Sequence, residues 1–185
     1  MRAVIDTNSL LALVRYYLPF DKDNALKKFI KEKIDSHELI ILDKIYEESK
    51  YIAKGLVLKE LEFLKDKTTH IKTNEILPDN KFFNQLENQF CYGVQKNRLN
   101  TIEFETEKNK FLESADAKLI LYCIKDKNSL NLDKPILVTE ETKSENDNKL
   151  FKKIPEICTI LEIEQCNLPS LFRDHFKINI GKHFK

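Results

Sequence analysis

The sequence predicts an α/β fold: three α/β/α layers around a central, mostly parallel sheet, with extra helices inserted in the middle of the chain. Three observations predict it. Short apolar runs stand at Ala3-Val4-Ile5, Leu39-Ile40-Ile41-Leu42 and Pro135-Ile136-Leu137-Val138-Thr139. Such runs suit strands covered on both faces. Capping residues and a helical apolar pattern follow the first two runs, so the opening reads β-α-α-β-α. That alternation implies parallel strands joined by right-handed crossovers.

The elements follow in order. After Asp6, the side chains of Thr7, Asn8 and Ser9 offer N-cap oxygens to a helix carrying Leu10, Leu11, Leu13 and Val14, which Pro19 ends. Asp21 or Asp23 caps a second helix with Ala25, Leu26, Phe29, Ile30 and Ile34 at helical spacing. Asp43 is an N-cap for the helix containing Ile45, Tyr46, Tyr51 and Ile52. Leu56, Leu58, Leu61 and Leu64 suggest a helix, and Phe82, Phe83, Leu86, Phe90 and Val94 another, with Thr68 to Pro78 as a connector. Ser114 caps a helix from Ala115 to Ile124 with Leu119, Ile120 and Cys123 inward. Glu140 to Asn148 reads as a loop. Ile154 to Leu161 reads as a short helix tolerating Pro155 in its first turn, and Leu161 to Ile163 as an edge strand. The expected organisation is one domain over 1–185, with a helical insert around 55–113 and a locally basic tail from 172. The tail sets Arg173, Lys177, Lys182 and Lys185 against Asp174, and reads as a solvated terminus.

Composition narrows the function. With 42% hydrophobic and 33% charged residues, 185 residues suffice to bury a core. A net charge of +1 means that any nucleic-acid binding must come from a local basic surface. Only 3 glycines occur, and no Gly-rich phosphate loop. Cys91, Cys123, Cys158 and Cys166 form no CxxC pair, which argues against a zinc knuckle or redox motif. No secretory signal and no long apolar span is visible, so a cytoplasmic protein with reduced thiols is expected.

Carboxylates stand at four informative places. Asp6 ends the first strand, Glu48 lies just inside the helix after the second, Asp116 lies in the first turn after Ser114, and Glu141 follows the third strand. In a parallel sheet all strands end on one side, where ligands bind. Each acid alone has a structural explanation as a cap or a complement to a helix dipole. The ordered set points to a shared site, because clustered carboxylates repel and a divalent cation relieves the repulsion. Hard oxygen donors favour Mg²⁺ or Mn²⁺ over zinc.

These stretches resemble the PIN-domain family over roughly Met1 to Cys166. Val4-Ile5-Asp6-Thr7-Asn8 is similar to that family's opening strand and Asp-Thr-Asn/Ser signature. Ile45-Tyr46-Glu47-Glu48 resembles its apolar-x-x-Glu, a spacing that selects Glu48 over Glu47. Ser114-Ala115-Asp116 opening an apolar helix resembles its third motif, and Val138-Thr139-Glu140-Glu141 its closing strand-Thr-x-Asp, with Glu in place of Asp. Either Glu140 or Glu141 completes that fourth corner.

The resemblance implies an Mg²⁺- or Mn²⁺-dependent endoribonuclease, with Asp6, Glu48, Asp116 and Glu141 as catalytic metal ligands. It implies Asn8 and Thr139 hydrogen-bonding the ligands from behind. Arg15, Lys44 and Lys50, and in the insert Lys96 and Arg98, are the candidate contacts to the RNA backbone. PIN proteins of this size resemble toxins of toxin–antitoxin pairs, so an antitoxin and a homodimer are candidate partners. Leu61, Leu64, Phe82 and Phe83 suit such an interface or the core, and the core is preferred. A non-catalytic scaffold binding RNA or protein is the alternative. A haloacid-dehalogenase-type phosphatase also opens with a strand and Asp, but needs a second Asp two positions on, where this chain has Asn8. His37, His70, His175 and His183 are scattered and carry no role.

Overall fold

The structure is a computed structural model and describes residues 1–127, 134–143 and 148–182. Strand β1, Arg2–Ile5, buries Ala3, Val4 and Ile5 completely. Helix α1, Thr7–Ala12, runs into a wider turn over Leu13–Tyr17 and a 3-10 turn over Leu18–Phe20, where Pro19 ends the helical path. Helix α2, Ala25–Asp35, is capped by Asp21, whose carboxylate accepts from the Leu26 and Lys27 amides at 2.8 and 2.9 Å. Asp23 takes a left-handed backbone instead, with φ 55°. Strand β2, Leu39–Leu42, is buried at all four positions.

Helix α3, Asp43–Ser49, begins at Asp43 rather than after it, and the Asp43 carboxylate fastens Thr73 through its amide at 3.1 Å and its hydroxyl at 2.6 Å. The helix expected to run on through Tyr51 and Ile52 stops at Ser49. Ala53, Lys54 and Gly55 all adopt positive φ, which no helix tolerates. The leucine-rich helix is correspondingly short: α4 covers Leu56–Glu60, and Leu61 leads into a 3-10 turn. The stretch expected to be a connector holds strand β3, His70–Ile71. The Phe82 pattern divides at Phe90 into α5, Asn80–Asn88, and α6, Gly93–Lys96. Helix α7, Thr101–Leu112, opens on a reciprocal capping box between Asn100 and Glu103. Leu61, Leu64 and Phe82 are buried and Phe83 is half-buried, so the insert feeds the core.

Helix α8, Ala115–Lys127, contacts β2 and strand β4, Pro135–Val138. Helix α9, Ile154–Leu161, packs against α8. The edge strand expected at 161–163 lies at Gln165–Cys166, strand β5, because α9 runs through Leu161 and closes on Glu162 at a left-handed φ of 54°. A short helix α10, Leu168–Ser170, leads into the tail. The tail is docked rather than frayed: Phe172 is fully buried and Phe176 meets Phe29 edge-on at 5.7 Å. Lys185 and His183 lie outside the described residues.

Among the described residues, the five strands form one parallel sheet in the order β3-β2-β1-β4-β5, with helices completing a three-layer α/β/α fold. The chain winds outward from β1 through β2 to β3, then returns to the other side of β1 for β4 and β5. The strand order therefore reverses between β1 and β4. At that switch the crossovers diverge and leave a crevice beyond the carboxyl ends of the two strands. No helix among the described residues is long and apolar enough to cross a membrane.

Candidate functional site

Asp6 stands at this switch point. Its amide donates to the Val138 carbonyl at 3.1 Å, which locks the end of β1 to the end of β4. The side chain is 3% exposed. One carboxylate oxygen accepts from the Ser9 amide at 2.6 Å and the other from the Thr139 hydroxyl at 2.7 Å. Burial pushes the carboxyl up to about 6 and repulsion from Glu141 adds to the rise, against the opposing hydrogen bonds from Ser9 and Thr139.

Glu48 projects from α3, and the hydroxyl of Thr7 donates to its Oε2. This bond ties the first turn of α1 to the helix after β2. Asp116 sits in the first turn of α8, where the Ser114 hydroxyl caps the Ala117 amide at 3.2 Å. The surrounding protein pushes the Asp116 carboxyl up to about 7, and repulsion from Glu141, Glu48 and Asp6 adds to the rise, with Lys149 opposing. The residue keeps access to water. Desolvation of the carboxyl within a concave site is the largest cause of the rise, and crowding by the other acids adds to it. Glu141 is half-buried; its amide donates to the Thr139 hydroxyl at 3.1 Å and its Oε2 accepts from the Ile154 amide at 3.3 Å.

The four acids named by the sequence thus share one electrostatic neighbourhood. At the fourth corner the two glutamates diverge in space. Glu140 turns away to accept from the Leu168 amide at 2.7 Å at the start of α10, whereas Glu141 faces Asp6 and Asp116. Thr139 holds Asp6 as expected. Asn8 is exposed, and the contacts assigned to it are made by its neighbours Thr7 and Ser9. Their signal was present in the sequence, since both are hydroxyl residues flanking Asn8 in the turn after a buried strand.

The cations are placed less as expected. Lys44 pairs with Glu113 at 3.3 Å, the Lys50 ammonium lies 4.5 Å over the Tyr46 ring, and Arg15 is exposed beyond α1. Lys96 donates to the Glu87 carbonyl at 2.6 Å, and Arg98 donates to Gln95 at 3.2 Å. None of these five lines the cavity of about 350 Å³ that contains Asp116 and Glu141. Its basic side chains are Lys149, Lys152 and Lys153, set beside Phe111 and Phe151. Nothing in the sequence marks this basic and aromatic stretch, because it follows the last acidic motif rather than lying within one.

Among the described residues, no three His, Cys, Asp or Glu side chains stand ready to hold an ion. The chemistry of the clustered donors still fits a hard divalent cation. Asp6, Glu48, Asp116 and Glu141 offer only carboxylate oxygens. Glu48 and Asp116 are solvent-exposed, so rotating them inward needs no repacking of the core. Of the four free thiols, Cys166 lines a cavity together with Thr139 and Glu141, and burial pushes it up to about 12. It is therefore no thiolate ligand at neutral pH. His70 stacks on Tyr46 at 4.3 Å, outside the cluster.

A doubly wound parallel sheet with one buried carboxylate at its switch point, and three further acids crowded beside it, defines the class of this molecule. Within that class, the family model described as a domain of unknown function (DUF4411) matches residues 4–178, and the chain belongs to that family. The match takes in all four acids. No curated protein and no solved structure matches the chain.

Proposed function

We propose that this protein is a PIN-type endoribonuclease that uses Mg²⁺ or Mn²⁺ to hydrolyse RNA phosphodiester bonds, and that it serves in the cytoplasm as the toxin of a toxin–antitoxin pair. The observation that carries the nuclease reading is the convergence of Asp6, Glu48, Asp116 and Glu141 on the crevice between β1 and β4, where burial raises Asp6 and Asp116 and repulsion from neighbouring carboxylates adds to the rise. A bound divalent cation would offset that repulsion, activate water and stabilise charge at the scissile phosphate.

The chain's own part is to hold the carboxylates. The Ser9 amide and Thr139 hydroxyl fix both oxygens of Asp6. The Thr7 hydroxyl orients Glu48, and the start of α9 anchors Glu141. The rigid strand ends place Asp6 while α8 delivers Asp116 from the adjacent helical layer. The toxin role brings an inhibitory protein partner and a homodimer as its expected company.

One observation favours a second reading. The lack of a ready three-ligand group among the described residues fits a non-catalytic PIN-like scaffold that binds RNA or protein. The discriminating experiment is cleavage of labelled single-stranded RNA with Mn²⁺, with chelator, and with the Asp6→Asn variant. Metal-dependent products that vanish in the variant support the enzyme. Intact RNA under every metal condition, with binding retained, favours the scaffold.

A further inference from the structure

The segment Lys149–Lys153 is unlike an ordinary loop. It lies extended against the insert: the Tyr92 amide donates to the Leu150 carbonyl at 2.9 Å, the Lys152 amide donates to the Phe90 carbonyl at 2.8 Å, and Phe151 bridges Cys91 in antiparallel fashion. Phe90 is fully buried, so the segment is pinned to the core through its backbone. Phe151 stacks on Phe111 of α7, with centroids 4.5 Å apart and planes at 29°. Both rings are only partly buried, and both line the 350 Å³ cavity with Asp116 and Glu141. Lys149, Lys152 and Lys153 line the same cavity.

From this geometry we infer that the Phe111–Phe151 pair and the three lysines form a subsite for one nucleotide of a single-stranded nucleic acid, directly beside the carboxylate cluster. The inference rests on the nuclease reading for the identity of the neighbouring acids, and adds where the strand is held. The reasons are chemical. A nucleotide offers a flat base and an anionic phosphate, and the cavity offers a partly exposed aromatic platform and ammonium groups within one small volume. Stacking on an aromatic ring is indifferent to base identity but requires an unpaired base. A cavity of 350 Å³ lies at the small end of the about 300–1,000 Å³ usual for ligand sites, and takes a single unit rather than a duplex groove.

The acids explain why the lysines are needed here. The carboxylate cluster, with Glu107 on the cavity wall, repels a phosphate, and the three lysines set a compensating charge at one side of the approach. Lys149 already acts on Asp116 in that sense. A second cavity of about 510 Å³ shares Glu141 with the first and is lined also by Lys143, Asn167, Asp174 and His175. An extended strand crossing Glu141 would occupy both cavities.

The test is binding, which needs no turnover. Fluorescence anisotropy in chelator would follow a labelled single strand of about ten nucleotides and a duplex of the same length, with wild type, Lys149→Glu/Lys152→Glu and Phe111→Leu. The expected result is a preference for the single strand, a loss of tenfold or more in the lysine variant, and a shallower salt dependence by roughly 0.7 per lost phosphate contact. Phe111→Leu keeps apolar bulk and should weaken the single strand by about five-fold or more, with little change for the duplex. Thermal melts of each variant separate a lost contact from a lost fold, and Lys149 is exposed enough to be changed without repacking. Equal affinity of wild type and folded variants, or no nucleic-acid binding by wild type, overturns the subsite. Metal-dependent cleavage that survives in those same variants would overturn the subsite and leave the nuclease reading standing.

Discussion

Replacing Asp6 by Asn should make the protein more stable at neutral pH, although it removes the residue on which the site is built. Asp6 is 3% exposed and its carboxyl is raised from 3.8 to about 6. Holding it ionised in the folded state therefore costs about 3 kcal/mol relative to the unfolded chain, from roughly two pK units at about 1.4 kcal/mol each. Asn keeps the acceptor for the Ser9 amide but places an amide nitrogen toward the Thr139 hydroxyl, which already accepts from Glu141. That exchange forfeits about 1 kcal/mol. The net gain is about 2 kcal/mol above pH 7, a rise in Tm of about 4–8 °C for a chain of this size.

The folded pKa is raised, so wild type loses stability as pH climbs from about 4 to about 6, where the folded state still holds a proton that the unfolded chain has released. The advantage of Asp6→Asn should vanish near pH 4. Urea denaturation of both proteins across about pH 4 to 8, in chelator, measures this directly. A variant destabilised equally at both ends of that range would refute the claim that Asp6 is held charged at a cost.

Other outcomes follow from the same contacts. Glu141→Gln should abolish cleavage, whereas Glu140→Gln should leave it within a few-fold and cost about 1 kcal/mol at the start of α10, as gel assays and melts would show. Thr139→Val removes a hydroxyl bonded to both Asp6 and Glu141; it should lower the cleavage rate and move the acidic limb of its pH profile upward, because that bond holds the Asp6 pKa down. Phe90→Ala should cost about 3–5 kcal/mol in chemical denaturation, since Phe90 is fully buried where the insert meets the core. Cleavage by wild type should rise through about pH 6 to 7 as Asp6 and Asp116 ionise, and a flat profile would count against the cluster.

The central sheet was legible because β1, β2 and β4 are strands without an outward polar face, and no other element explains such runs. Asp6 and Glu141 were legible because they follow β1 and β4, Asp116 because it opens the apolar helix α8, and Glu48 only by its spacing after β2. Strand β3 was not, since two residues carry no periodicity, and its place depends on Asp43 gripping Thr73. Helix α7 shows a weak apolar stripe with Phe104, Lys108 and Leu112 inward, and Lys108 is buried only because Glu87 and Glu105 meet it at 2.8 and 2.7 Å. Its sequence signal was the Asn100–Glu103 box. The breaks at 53–55 escaped reading because Ala53 and Lys54 take left-handed geometry that their side chains do not advertise. The basic segment at 149–153 gains meaning only when the insert folds beside it.

The central claim is that the four carboxylates form a divalent-cation site, and metal binding tests it without knowledge of the RNA target. Calorimetric titration of Mn²⁺ into wild type and Asp116→Asn, at about pH 6 and about pH 8, is the direct measurement. Binding should be tighter at the higher pH, with proton release at the lower and a loss of roughly tenfold or more in the variant. No Mn²⁺ binding by wild type, or binding unchanged by pH and by Asp116→Asn, would contradict it.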